Sequence, residues 1–147
     1  MKSLEKRIQI IEDRVKRLKQ ISDETDSFSQ YQASRNIKDI AERNLQVAIE
    51  ACLDIARIIT AKENLREPGD QKGIFAVLAE NRIISDQTLS FLVPMAGTRN
   101  ILVHNYDRID DSIMYGILKR HLDDFTPYLD EIRKYVLLNS TPEKESQ

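Results

Sequence analysis

Tryptophan is absent from the 147-residue sequence, and cysteine occurs once, so an intrachain disulfide is excluded. Glycine and proline occur only four times each, which leaves few turns and predicts long regular elements. No apolar run approaches the roughly 20 residues that span a bilayer. The first six residues lack the apolar core of a secretory signal. These absences predict a cytoplasmic protein without a membrane segment.

An excess of positive charge is also missing, because the formal net charge is −2. No global field draws such a protein onto nucleic acid, so we expect no DNA partner, and any RNA contact must be confined to a local cleft. The length fits one domain that buries a core without metal or disulfide cross-links. We predict a single helical domain over residues 1–140 and a frayed polar tail over residues 141–147.

Apolar residues recur at helical spacing in the first half of the chain. A seam with alternating spacings of four and three predicts a first helix, and its members are Leu4, Ile8, Ile11, Val15 and Leu18. After a polar break at residues 22–29, a second helix is predicted from about Gln30 to Lys62. It is apolar around much of its circumference, which favours a central position. Pro68 and Gly69 lie in the segment that ends it.

The second half predicts shorter helices. A short helix over residues 73–83 is followed by one capped by Ser85 or Asp86, which Pro94 interrupts and which continues to His104. Asp110 or Asp111 caps a last helix, whose expected buried residues are Ile113, Ile117, Leu118, Leu122, Phe125, Leu129, Ile132 and Val136. Strand-like alternation of useful length is absent from the sequence. The fold class is therefore predicted as all-α, a four- to five-helix up-and-down bundle.

The segment from Arg99 to Tyr106 has unusual chemistry for this chain, which contains only two histidines. On an ideal helix, Arg99 and Tyr106 lie within roughly 20° of each other, and Asn100 and His104 within about 40°. Arg99 and His104 are roughly 140° apart, so they converge only through the reach of the arginine, a loosened helix end or a second protomer. The apolar residues 101–103 between them are free to anchor the helix in the core.

These residues suit phosphodiester chemistry. Arg99 offers a planar, permanently charged fork to phosphate oxygens, and His104 titrates near neutral pH. His104 as base and Arg99 as charge stabiliser would support attack of an RNA 2′-hydroxyl on the neighbouring phosphate. Cleavage also needs an acid, and each chain supplies one motif histidine. A twofold homodimer would bring a second set into one cleft.

Structural interpretations of the same residues remain open. His104 could satisfy the last carbonyls of a helix, and Tyr106 could be a half-buried packing residue. A metal site from His104, Asp107, Asp110 and Asp111 matches no standard ligand spacing, and turn and cap roles explain the aspartates; we predict no metal and no cofactor.

Two further reactive side chains have structural interpretations. His121 is expected to have a solvated or half-buried structural role, because no motif surrounds it. Cys52 lies among Ala, Leu and Ile residues and is expected to be an inert core thiol.

The spacing of Arg99, His104 and Tyr106 resembles the RX4HXY motif of HepT-like proteins, the HEPN-domain ribonuclease toxins of prokaryotic toxin–antitoxin pairs. Residues 41–56, 75–80 and 95–104 resemble that family's helices in the same order, over a region of residues 30–135. The resemblance implies a HEPN-like dimer in which Arg99 and His104 are the catalytic pair and Asn100 is the polar residue that follows the arginine. It also implies that an MNT nucleotidyltransferase antitoxin adenylylates Tyr106.

The leading hypothesis is thus a dimeric, metal-independent endoribonuclease that acts as a toxin and is neutralised by this nucleotidyltransferase. An alternative is a non-catalytic helical subunit that binds the nucleotidyltransferase or a nucleotide without cutting RNA. In a third interpretation, the polar motif is structural within a helical dimer. Only the first hypothesis requires both Arg99 and His104 for RNA cleavage.

Overall fold

A computed structural model describes residues 2–71, 73–104 and 109–139, with the side chain of His104 excluded. These residues form seven α-helices, one 3₁₀ helix and no strand. The elements are α1 (Lys2–Glu24), α2 (Phe28–Ala33), α3 (Arg35–Lys62), α4 (Gly73–Glu80), α5 (Asp86–His104), α6 (Asp111–Arg120), a 3₁₀ helix (Leu122–Asp124) and α7 (Phe125–Asn139). The predicted all-α helical bundle is confirmed. The predicted tail over residues 141–147 lies outside the described residues.

The apolar seam of α1 packs against α3. All five predicted seam residues, Leu4, Ile8, Ile11, Val15 and Leu18, are buried. The two helices run antiparallel, because Arg7 lies 3.7 Å from Asp54 while Arg14 donates a 3.1 Å hydrogen bond to Asn44. Burial of this seam is the main source of stabilisation for α1, since apolar area removed from water contributes roughly 25 cal/mol per Å².

The central position predicted for α3 is confirmed. It packs against α1, α2, α4 and α5, and its buried residues lie on several faces: Ala41, Leu45, Ala48, Ile49, Ala51, Cys52, Leu53, Ile55, Ala56 and Ile59. The predicted start at Gln30 is wrong, because the segment divides into α2 and α3. Ser34 has extended backbone angles and accepts a 3.2 Å hydrogen bond from the N–H of Ile37, so it caps a new helix.

The ends of α3 and α4 are left-handed caps. Asn64 has a φ of 54°, and Leu65 N–H donates to the Thr60 carbonyl at 2.9 Å. Arg82 has a φ of 59°, and Ile83 N–H donates to the Leu78 carbonyl at 3.0 Å. In both caps the N–H that follows the left-handed residue donates to the carbonyl five residues earlier, and this hydrogen bond ends the helix. The end of α3 at Lys62 is therefore as predicted, whereas α4 ends at Glu80, before the predicted Ile83.

Three predictions about the later helices are wrong. Pro94 does not interrupt α5, which continues through it to His104; the proline ring is exposed, and the helix lacks the hydrogen bond that an N–H at this position would donate. The last helix is divided at Leu122–Asp124, and Pro127 lies in the first turn of α7, where its missing N–H has no helical partner to lose. Ile113, expected in the core, is 54% exposed. Within the part of the chain that is described, no helix has the length and apolarity to cross a membrane.

Arg82→Gly should stabilise the protein by about 1 kcal/mol, because a left-handed conformation costs a residue with a Cβ roughly 1–2 kcal/mol. The Arg82 side chain is exposed, so little packing is lost. Urea unfolding measures the change. Asn64→Gly is the matched control and should give a smaller gain, since asparagine tolerates this conformation. An unchanged or lowered midpoint for Arg82→Gly would contradict the strain argument.

Candidate active site

The candidate motif lies at the carboxyl end of α5. Ser85 begins this helix by accepting a 3.1 Å hydrogen bond from the N–H of Thr88. Leu92 and Ala96 are buried and fix the helix against the core. Arg99 follows Ala96 by three residues, and His104 is the last residue of the helix. A helix anchored before its last turns holds the residues that follow in a fixed register.

The expected apolar anchor within the motif is only partly present. Leu102 is half-buried and packs against the core, whereas Ile101 is 40% exposed and Val103 is 37% exposed. The prediction that all three residues anchor the helix is therefore wrong for two of them. The last turn of α5 therefore leaves these two side chains largely uncovered by the described residues.

The guanidinium of Arg99 is held between α3 and the segment before α4. Its Nη2 donates to Glu50 Oε2 at 3.1 Å, and its Nη1 donates to Gln71 Oε1 at 3.4 Å. The Arg99 side chain is only 17% exposed. Its buried Nε has no hydrogen-bond partner among the described residues. The Arg99 guanidinium is therefore largely buried and held by two partners, and it is not freely solvated.

Glu50 was not among the predicted site residues. It lies in the middle of α3, where Gln46 Nε2 donates to its Oε1 at 3.4 Å. Its signal in the sequence is a carboxylate between Ile49 and Ala51, in a helix that is otherwise mainly apolar there. Charged residues in such a position are usually paired. The pairing partner, however, lies 49 residues away along the chain.

A shallow depression of about 440 Å³ opens beside Glu50. Three basic residues line it, Lys6 and Arg7 from α1 and Arg43 from α3, together with the carboxylates of Glu50 and Asp54. Lys6 and Arg43 are exposed. The cations therefore outnumber the carboxylates locally, although the chain as a whole has a net charge of −2.

The structure describes less of the other predicted site residues, Asn100, His104 and Tyr106. Asn100 is half-buried on α5. His104 belongs to the same uninterrupted helix as Arg99, so the two positions are roughly 140° apart around the axis, as the sequence predicted. The His104 side chain lies outside the described part of the structure, and so does Tyr106. The structure therefore brings Arg99 to Glu50 and Gln71, and the roles of Asn100, His104 and Tyr106 stay predictions.

Two of the three aspartates considered as metal ligands, Asp110 and Asp111, have structural roles. Asp110 accepts hydrogen bonds from the Ser112 hydroxyl and from the backbone N–H groups of Ser112 and Ile113, and these bonds lower the pKa of its carboxyl group. Asp111 forms an ion pair with Lys38 at 3.3 Å. Asp107 lies outside the described residues. Asp110 is thus the cap of α6 that the sequence offered as one of two choices.

His121 and Cys52 have the structural roles that the sequence predicts. The imidazole of His121 is 54% exposed and lies 3.0 Å from the Asp124 carboxylate. Cys52 is 1% exposed, and desolvation by burial raises the pKa of its thiol. A thiol that is buried and protonated is a poor nucleophile.

The fold and the motif together define a class: an all-α domain in which one helix carries an arginine and a histidine five residues apart. The chain belongs to the ribonuclease HepT-like family, whose model matches residues 11–132. The resemblance inferred from the sequence is therefore confirmed.

Individual relatives agree with this membership. The chain is 33% identical over 119 residues to the mRNA nuclease HepT of Shewanella oneidensis, covering 81% of this chain and 87% of the relative. It is 28% identical over 134 residues to the tRNA nuclease HepT of Aphanizomenon flos-aquae, covering 91% and 90%. It also resembles the structure of a tri-AMPylated S. oneidensis HEPN toxin in complex with MNT antitoxin, with a TM-score of 0.82, 30% identity and coverage of 91% and 98%.

Proposed function

We propose that this protein is an endoribonuclease toxin that cleaves RNA without a metal ion and is neutralised by an MNT-type nucleotidyltransferase antitoxin. One observation carries the proposal. In a chain of the HepT-like family, the motif arginine is held at a defined place, between α5 and Glu50 of α3. A fixed guanidinium is what stabilisation of a phosphate charge requires.

The proposed reaction is an internal transfer at the RNA phosphate. His104 takes the proton of the 2′-hydroxyl, and the 2′-oxygen forms a bond to phosphorus while the bond from phosphorus to the 5′-oxygen breaks. Arg99 stabilises the negative charge on the phosphate oxygens, and Asn100 is the neighbouring polar group. The leaving 5′-oxygen takes a proton from a protonated histidine. The products are a 2′,3′-cyclic phosphate and a 5′-hydroxyl.

Contact with the remaining RNA backbone must be local. The depression lined by Glu50 offers exposed Lys6 and Arg43, and Glu50 is the residue that pairs with Arg99. Cations of this kind bind phosphates without reading the base sequence. This location supports RNA as the substrate of a chain whose net charge is −2.

We also propose that the acid and the base come from two copies of the chain. Val93, Gly97 and Ile101 follow one another at four-residue spacing on α5, so they share one face. Val93 and Ile101 are 41% and 40% exposed. An uncovered apolar face on the helix that ends with His104 suits a twofold partner, because α5 of each copy would bring its own motif to the shared cleft.

Two substitutions, Arg99→Ala and His104→Ala, test the proposed nuclease activity. Arg99→Ala should lower the rate of RNA cleavage by about 10²–10³, and His104→Ala by about 10²–10⁴. The cleavage of a labelled RNA by wild-type protein should continue in EDTA and leave cyclic phosphate ends. Circular dichroism controls for folding. If both folded variants cut RNA like the wild type, the proposal is wrong, and the non-catalytic binding subunit becomes the better interpretation.

Ile101→Asp tests the composite site. A twofold interface contains the substitution twice, and at about 2 kcal/mol for each copy the dissociation constant should rise by about 10³. Sedimentation measures the dimer, and cleavage should be lost with it. Leu137→Asp is the control, because Leu137 on α7 is 76% exposed and lines a groove with residues of α1. A monomeric variant that still cleaves RNA would show that one chain suffices.

Tyr106→Phe tests neutralisation. The ring is kept and the hydroxyl is lost, so the variant should cleave RNA within about threefold of wild type, since no step of the proposed transfer uses the hydroxyl. Incubation with the antitoxin and ATP should add adenylate to the wild type and not to the variant. Intact-mass measurement detects the added adenylate. Adenylylation of the variant would place the modified residue elsewhere.

A further inference from the structure

The guanidinium of Arg99 needs a partner that fixes its orientation. An arginine side chain carries about 2 kcal/mol of rotamer entropy, so without a partner it would sample many positions. Glu50 is a suitable anchor because its backbone lies in the buried central helix, between Ile49 and Ala51. Gln46 contacts the second carboxylate oxygen of Glu50 and limits its rotation.

The contact leaves donors for a phosphate. A guanidinium has five N–H groups; Glu50 and Gln71 each take one, and the Nε–H has no partner among the described residues. Among the described residues, one N–H on each of Nη1 and Nη2 therefore has no partner. Glu50 thus accepts one hydrogen bond from the guanidinium and leaves other N–H groups of Arg99 available to a phosphate.

Gln71 is the weaker of the two partners. Its contact with Arg99 is longer, 3.4 Å against 3.1 Å, and its amide carries no charge. It also lies outside a helix, whereas Glu50 is mounted on α3. A charge-assisted hydrogen bond from a rigid element is the stronger constraint on orientation.

We infer that Glu50 is a positioning residue, which holds the Arg99 guanidinium in the orientation that meets the scissile phosphate. This inference rests on the proposed RNA cleavage. Glu50 does not touch the reacting atoms; it acts through Arg99. A misplacement of about 1 Å at a reacting group can reduce the rate about 10²-fold.

Steady-state cleavage of a labelled RNA tests this role. Glu50→Ala should lower kcat by about 10- to 100-fold and change KM by less than about threefold, because the contribution is to the transition state. Glu50→Gln keeps an oxygen that accepts from Nη2 and should recover most of the rate. The matched control is Glu12→Ala, which removes a Glu–Arg pair with Arg133 between α1 and α7 and should cleave like wild type.

A double-mutant cycle separates positioning from a merely structural effect. If Glu50 acts through Arg99, then Glu50→Ala should cause little further loss in a chain that already carries Arg99→Ala. An equal loss in both backgrounds would overturn the inference. A Glu50→Ala variant as fast as wild type, or faster, would also overturn it, since a faster variant would mean that Glu50 competes with the phosphate.

A second measurement does not depend on cleavage. In ¹⁵N NMR spectra of the full chain, the Arg99 Nη groups should give separate signals in the wild type, because the ion pair restricts rotation about the Cζ–Nη bonds. These signals should merge in Glu50→Ala. Averaged Nη signals in the wild type would refute the positioning role directly. Wild-type protein that shows restricted signals but cuts no RNA would refute the proposed nuclease and leave the Glu50–Arg99 constraint established.

Discussion

The burial of α3 is the constraint on which the rest of the structure depends. Its apolar residues lie on several faces, so α1, α4 and α5 must each cover one of them. The hydroxyl of Tyr128 on α7 donates a 2.8 Å hydrogen bond to the Cys52 carbonyl, which ties the last helix to the same centre. Because every layer is placed relative to α3, a polar side chain on that helix has a fixed relation to its neighbours.

Glu50 uses this fixed relation. It lies on the central helix, which core packing holds in place, and α5 brings Arg99 to it from a position 49 residues later. The pair joins two helices at the end of α5, where Ile101 and Val103 are no longer covered by the bundle. The site is therefore rigid on the side that faces α3 and open on the side that would meet RNA or a second copy.

Much of the fold could be predicted from local patterns. The seam from Leu4 to Leu18 and the central role of α3 follow from helical spacing, because a periodic apolar face has one stable placement. The break at Ser34 was missed, because a serine that caps a helix cannot be told from a surface serine by its residue type alone; its extended backbone angles identify it. The division at Leu122–Asp124 had a signal in the sequence, because Pro127 suits the first turn of a helix better than its interior.

The site could be predicted only in part, for a different reason. Arg99 and His104 share one helix, so their spacing is visible in the sequence, and a family motif gives that spacing a meaning. Glu50 and Gln71 reach Arg99 through tertiary packing, and no local pattern encodes the pairing of side chains 49 and 28 residues apart. A carboxylate in an apolar stretch indicates that a partner exists, but the fold decides which one.

The pairing of Arg99 with Glu50 also bears on selectivity. In the free chain the carboxylate balances the charge of the guanidinium, so the site adds little to the attraction of arbitrary polyanions. This suits a protein whose net charge is −2. The remaining donors gain most when charge develops on the phosphate, because an oriented donor needs no rearrangement at that moment. Weak attraction in the ground state together with a fixed donor in the transition state is the combination that raises kcat.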